Sequence, residues 1–365
     1  MSAPTASSGG LQRLHVVALG GGTGLPVVLR GLKRAMADMD GSLTGIVTVT
    51  DDGGSSGRLR RRYNVLPMGD IRNCLVALSS NEPLMSRLFQ YRYDGHDELG
   101  GHCLGNLILT ALADCSRSYL KAIETSGQVL AIHGRILPAT LENVVLRARL
   151  KSGRRVRGES RISKSRETIV EVSTDPPSPA PAPGVLRALR QADLIVLGPG
   201  SLFTSLLPNL MVRGVAQAIA RSRAARVLVG NLMTQPGETD GFAAVDHLTA
   251  LQRCTGARLV DYYLAGSGPI RAAQRRRYAR QGAYPVEVSA TALATLGVVP
   301  VERGLMRDDP ELAKVRHHEG KLARALLRLV GSHRAARGPA DRRMARAARG
   351  ARGARTPHAR GVTTG

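Results

Sequence analysis

Between His15 and Arg62 the chain twice runs an apolar segment into a glycine-rich corner, first HVVALGGGTGL and then TGIVTVTDDGGSSGRLRRR. A strand that ends in such a corner and feeds a helix is the building unit of an open α/β sheet, whose corners gather at the carboxyl ends of the strands. The first corner opens a helix on which Leu25, Val28, Leu29, Leu32, Ala35 and Met36 recur at a 3.6-residue period. Pro26 suits its first turn, where a missing N–H costs nothing. The second corner is a turn from Asp51 to Gly57, with Arg58, Arg60, Arg61 and Arg62 behind it.

Further along, Asp70 reads as the N-cap of a helix to Ser79, and a second helix is predicted over 82–90. Another starts near Gly105-Asn106. Residues 126–174 change character: VVLRARL, RRVRGE and ETIVEV alternate apolar and polar around the turn at Lys151-Ser152-Gly153, which predicts antiparallel hairpins. The proline-rich stretch 175–184 reads as an extended connector. After it, strand and helix signals alternate again. DLIVL runs into the turn GPGSLFTS, a helix starts near Pro208, and RVLVG runs into NLMTQPGET. A strand at about 258–264 and a helix at about 310–330 complete the pattern. The expected fold is α/β, a Rossmann-like, mostly parallel sheet flanked by helices with a small antiparallel β-hairpin insertion. It forms a single domain over 14–330, between a disordered leader (1–13) and a disordered arginine-rich tail (331–365).

Glycines at Gly21, Gly22 and Gly24, with Thr23 among them, let backbone N–H groups approach an anion closely, and a helix start favours negative charge. The spacing is neither G-x-G-x-x-G nor a P-loop, and a tight turn that binds nothing has the same composition. Asp51 and Asp52 end a buried strand, where carboxylates are costly unless used. They can hold Mg²⁺, bind ribose hydroxyls or accept a proton; an Asx turn with solvated acids is the alternative. Gly53, Gly54, Ser55 and Ser56 follow as a second loop rich in N–H and hydroxyl groups. Two such loops after neighbouring strands point to a nucleoside diphosphate. Asn73, Asn106, Gly200, Ser201, Asn231, Gln235 and Glu238 stand at other strand ends and helix starts, where they can read base and sugar edges or serve as caps. No Ser-His-Asp pattern stands out, and His102 reads as a structural histidine. Binding is therefore more visible than a reaction, and no cofactor is required beyond an optional Mg²⁺.

A content of 43% hydrophobic residues in 365 suffices for a large core. No apolar run reaches the roughly 18 residues of a membrane helix, and the first residues lack a signal-peptide pattern, so a cytoplasmic protein without membrane insertion is expected. Four cysteines without a C-x-x-C pair read as inert thiols. The net charge of +24 admits nucleic acid, but residues 331–365 alone hold nine arginines and aromatics are only 3%. Nucleic-acid binding is therefore expected, if anywhere, through that tail.

The stretches GGGTGL, TVTDDGGSSGRLR, GDIRNCLVAL, LFQYRY, GHCLGN, GPGSLFTSLLPNL and NLMTQPGET, in this order from about Leu14 to Val330, resemble the YvcK proteins. These are the gluconeogenesis factors of the CofD-like superfamily. Cys103 replaces a usual serine, and Leu66-Pro67-Met68 stands where Pro-Pro is common. The resemblance implies a Rossmann-like homodimer that binds UDP-sugars such as UDP-N-acetylglucosamine and links carbon metabolism to cell-wall synthesis and cell shape. The related CofD enzymes transfer 2-phospho-L-lactate from a guanosine diphosphate derivative to a deazaflavin alcohol with Mg²⁺. By resemblance, Asp51 and Asp52 match the acidic pair that faces acceptor or metal. Leu305-Met306-Arg307-Asp308 is similar to an I-R-H-D stretch whose arginine, here Arg307, is implicated in UDP-sugar binding.

Overall fold

A computed structural model describes residues 13–95, 97–307 and 314–338. The leader as far as residue 12 and the tail from residue 339 lie outside the described residues.

Seven parallel strands form the main sheet, in the spatial order β10 (Val299–Gly304), β9 (Tyr262–Ser267), β8 (Ala225–Val229), β7 (Leu194–Leu197), β1 (Leu14–Gly20), β2 (Gly41–Val47) and β3 (Arg135–Pro138). Side chains alternate across a strand, and β1 shows what that does here. Its Val16 and Ala18 enter one buried cluster, and its Val17 and Leu19 the cluster on the opposite face. Both faces are covered, so the strand reads as a continuous apolar run rather than an alternating one. Helix α1 (Gly24–Ala35) buries Leu25, Val28, Leu29 and Leu32 as its periodicity predicts, with Pro26 in its first turn.

The chain leaves β1 for β2 and β3 on one side, then returns to place β7 on the other. The gap between the ends of β1 and β7 is the topological switch point, where open α/β sheets bind ligands. This sheet and its helices bear out the expected fold class. A second sheet, β5 (Arg155–Arg157), β4 (Val145–Leu150) and β6 (Ile169–Asp175), is antiparallel and bears out the insertion.

Several boundaries differ. The insertion is narrower than 126–174: Ser126–Val129 finish helix α6 (Tyr119–Val129), and Arg135–Pro138 join the main sheet because Ile136, Leu137 and Pro138 are buried. It also contains a short helix, α7 (Glu159–Lys164), with an acid in its first turn and bases in its last. Asp70 does not cap helix α3 (Gly69–Leu78), whose N-cap is Met68. Ser55–Gly57 belong to helix α2 (Gly54–Tyr63) rather than to a turn. The segment after β7 enters a π-helical turn, Leu202–Leu206, and the helix from Pro208 breaks at Gly214 into Leu207–Leu210 and Val215–Ala220. The ninth strand starts at Tyr262 rather than near 258. The last helix runs Glu319–Ala336, so residues 331–336 continue it instead of starting the tail; its inner face, from Leu322 to Val330, is buried. Helices α4 (Glu82–Gln90) and α5 (Leu104–Ser116) lie where predicted.

Candidate functional site

The corners after β1, β7 and β8 meet at the switch point. Glycine is required where they touch: a Cβ at Gly24 would lie 2.0 Å from the Pro199 carbonyl oxygen. Asn231 locks the third corner to the second. Its Oδ1 accepts the Gly200 N–H at 3.1 Å, and its Nδ2 donates to the Gly200 carbonyl at 2.9 Å. Gln235 donates from Nε2 to Ser201 Oγ at 2.8 Å. Between the corners lies a cleft of about 640 Å³. The predicted residues Gly21, Gly22, Thr23 and Gly24 form one wall; Gly200, Ser201, Asn231, Gln235 and Glu238 form the other.

Asp51 and Asp52 stand beside this cleft rather than in its lining. Asp51 Oδ1 accepts the Gly53 N–H at 2.9 Å, and Asp52 Oδ1 accepts the Ser160 N–H at 2.8 Å from the insertion. Gly54 starts α2 and is open to its surroundings. Ser55, Ser56 and Asn106 are buried behind the corner. Ser55 Oγ accepts the Cys103 N–H at 3.2 Å and contacts His102 Nδ1 at 3.2 Å. Asn106 donates to Ser56 Oγ at 3.3 Å and accepts from Arg72 at 3.1 Å; Asn73 accepts from the same guanidinium at 2.9 Å. The two amides therefore fix a buried arginine. Arg307 is exposed and outside the cleft lining; its N–H donates to the Arg316 carbonyl at 2.8 Å, and it is Arg316 that lines the cleft.

Two contributing segments were not found in the sequence, and a third contributor, Asp70, reads there as a helix cap. Asp70 Oδ2 accepts the Gly22 N–H at 2.7 Å and so ties α3 to the first corner. Glu159 and Ser163 of α7 enter the cleft from the insertion, a stretch whose strand-like alternation hid the short helix. Lys314, Arg316 and His317 come from the stretch before Glu319, which the sequence assigns to a helix over about 310–330 and the structure leaves outside it.

Carboxyl groups in the cleft wall, Glu159 and Glu238, and others beside it, Asp51 and Asp70, resist ionisation. Burial pushes Asp70 up to about 6, against the Gly22 N–H and with Asp51 adding to the rise. Burial, then Asp51, pushes Glu159 up to about 7. Burial pushes Glu238 up to about 7, although Thr204 and Ser201 hydroxyls oppose it. Asp51 is raised for the same first reason. Burial holds His317 down to about 4, so it is a neutral imidazole at pH 7.

A family profile described as "2-phospho-L-lactate transferase CofD" matches residues 16–306. The "Gluconeogenesis factor" of Halalkalibacterium halodurans is 42% identical over 87% of this chain and 97% of its own length. That of Bacillus subtilis is 40% identical over 87% of this chain and 99% of its own. The crystal structure of a member of the UPF0052 family from Bacillus halodurans superposes with a TM-score of 0.81 at 42% identity, covering 86% of this chain and 99% of that one. With the profile and the relatives spanning the sheet, its corners and the insertion alike, the chain belongs to the gluconeogenesis factor family within the CofD-like superfamily.

Proposed function

We propose that the cleft binds a nucleoside-diphosphate sugar of the UDP-N-acetylglucosamine class, and that the protein acts as a regulator linking carbon metabolism to cell-wall synthesis and cell shape. The observation that carries this reading is the start of α1, which opens on the cleft without a cap. Both α1 and α2 begin without a side-chain cap and without an acid in the first turn. Orphan N–H groups at a helix start form an anion site, and α1 opens directly onto the cleft. The hydroxyl and amide groups of Ser201, Asn231 and Gln235 give the opposite wall donors and acceptors suited to a sugar or base. Ser55 and His102 touch, but Ser55 is buried and lies outside the cleft lining, so the pair does not face a ligand there.

Titration calorimetry tests this. UDP-N-acetylglucosamine should bind well below millimolar, GDP should not, and Asn231→Ala should weaken the sugar nucleotide about tenfold by unlocking the corner. Absence of heat with millimolar UDP-N-acetylglucosamine overturns the assignment.

One observation favours a second reading, a Mg²⁺-assisted transferase of the CofD kind: Asp51 lies close enough to Asp70 and Glu159 to raise both, so ionising them together is costly and a cation would favour their charged forms. Among the described residues no group of three or more His, Cys, Asp or Glu gathers as a metal cage. Asp51 and Asp52 fit Mg²⁺ that arrives with phosphate oxygens, as this ion commonly does. Bound there, it would neutralise charge developing on the phosphates. Asp51→Asn should then abolish turnover and spare nucleotide affinity. Wild-type protein that yields no product with donor, deazaflavin acceptor and Mg²⁺ excludes this reading.

A further inference from the structure

The opposite end of the sheet, where β1, β2 and β3 begin, holds a second and larger cavity of about 1130 Å³. The last turn of α1, the first turn of α4 and the helix Val185–Gln191 wall it. Four formally positive side chains line it, Lys33, Arg34, Arg135 and Arg187, against one carboxylate, Glu82.

The partners of these charges decide what the cavity can hold. Glu82 is already bound by Arg30, with Lys33 at 3.6 Å. Lys33 also donates to the Ser79 carbonyl at 2.8 Å, and Arg34 pairs with Glu319 at 3.2 Å. The guanidinium groups of Arg135 and Arg187 are in a different position. Neither makes an ion pair or hydrogen bond with any described residue, and both are exposed at the cavity. Arg135 lies over the start of the helix that carries Arg187, its guanidinium nitrogens 3.5 Å from where a Cβ at Gly184 would be. His15 commits Nδ1 to Ser42 Oγ at 2.8 Å, which leaves its Nε2 uncommitted. Met36 and Leu43 on one face of the sheet and Val17 on the other close its base, and the exposed Met39 adds apolar surface beside them.

The negative end of the α1 dipole lies here and weakly disfavours an anion. Lys33 and Arg34 in the last turn of α1 offset it. The remainder is an excess of guanidinium without a partner among the described residues, in a volume just above the usual range of small-molecule pockets. Planar five-donor groups match phosphate oxygens in pairs.

We propose that this cavity is a second ligand site, taking a phosphorylated small molecule of nucleotide size, with Arg135 and Arg187 on its phosphates and the apolar side chains of the base under its body. It is separate from the switch-point cleft, where glycine corners and the side chains of Asn231, Gln235, Lys314 and Arg316 line the walls.

The test is calorimetry on the full chain with ADP and inorganic tripolyphosphate as probes. ADP should bind, and the double variant R135Q/R187Q should weaken it about tenfold or more, while N231A leaves it unchanged. Tripolyphosphate, which covers none of these apolar side chains, should bind about tenfold more weakly than ADP. ADP binding that survives R135Q/R187Q but is lost in N231A places the probe in the cleft and overturns the proposal. So does the absence of heat at roughly 5 mM ADP, or equal affinity for the two probes. Both arginines are exposed, so circular dichroism of the double variant should match wild type and separate lost binding from lost fold.

Discussion

The two ends of the same parallel strands are built from different materials. At the carboxyl end, glycine corners press backbone against backbone, and the nearby acids are held partly protonated by burial. At the amino end, long cationic side chains line an open hollow with apolar side chains at its base. Strand ends on one side present backbone carbonyls and the corner loops of the switch point; on the other they present backbone N–H groups and the side chains around them. At Gly21 and Gly24 the first arrangement leaves no room for an added Cβ. The second is assembled from groups that can be removed singly. The largest effect should therefore come from a small change at the glycine end, and the smallest from loss of a whole charge at the arginine end.

Gly24→Val is the severest case. Its Cβ would stand 2.0 Å from the Pro199 carbonyl oxygen and 3.2 Å from the Gly200 nitrogen, both backbone atoms that cannot rotate away. The corners must separate, at a cost of about 3 kcal/mol, the upper range for overpacking. Thermal unfolding should show a large drop in midpoint, and UDP-N-acetylglucosamine binding should vanish in whatever remains folded. A variant as stable as wild type would mean that the corners are loosely joined, and the contrast between the two ends would fail.

That glycine end was the more legible in the sequence, for a physical reason. Strand, corner and helix announce themselves together: Val16 to Leu19 as an apolar run, Gly20 to Gly24 as a corner, Leu25 to Leu32 as a 3.6-residue face. The mostly parallel sheet and the corners that carry Gly21–Gly24, Gly200, Ser201, Asn231 and Gln235 could be read from such units. What could not be read depends on contacts between distant segments. Asn73 and Asn106 look like groups that read a ligand, yet Arg72 occupies both. Asp70 sits where a cap would sit, but its oxygen crosses to Gly22. Glu159 lies on a helix of six residues, too short to show a period of 3.6, inside strands that alternate. The second cavity left no trace at all, because Arg135 and Arg187 are two ordinary surface arginines until β3 and the helix after Gly184 bring them to one hollow.

Asp70→Asn should give an intermediate effect that depends on pH. In the folded state burial raises this carboxyl from an ordinary 3.8 to about 6. Between those values the native protein binds more protons than the unfolded chain, so stability falls as pH rises through the window and stays lower above it. The full shift corresponds to on the order of 2–3 kcal/mol. Asparagine keeps an oxygen for the Gly22 N–H but cannot ionise. The variant should therefore match wild type near about pH 4 and exceed it near about pH 7.5 in denaturant midpoint. Glu159 and Glu238, raised to about 7, should leave a residual slope of the same sign. Parallel stability curves for the two proteins across this range would show that Asp70 carries no such load.

Arg34→Ala should do least to stability, although it deletes a full charge. Its side chain is 64% exposed, and its ion pairs with Glu319 at 3.2 Å and Glu82 at 3.7 Å lie at the surface, where such pairs contribute little. Neither carboxylate is stranded, because Arg30 contacts both, reaching Glu319 at 2.9 Å. The expected loss is about 0.5 kcal/mol or less, a shift near the resolution of a urea titration. Binding at the two ends should respond unequally even so. Nucleotide affinity in the switch-point cleft should be untouched, since Arg34 lies at the far end of α1 from Gly24. ADP at the amino-end cavity should weaken with a reduced salt dependence, because one cation fewer faces it. A stability loss of several kcal/mol would instead make Arg34 part of the frame that joins α1, α4 and the last helix, and the arginine end would then be as intolerant of change as the glycine end.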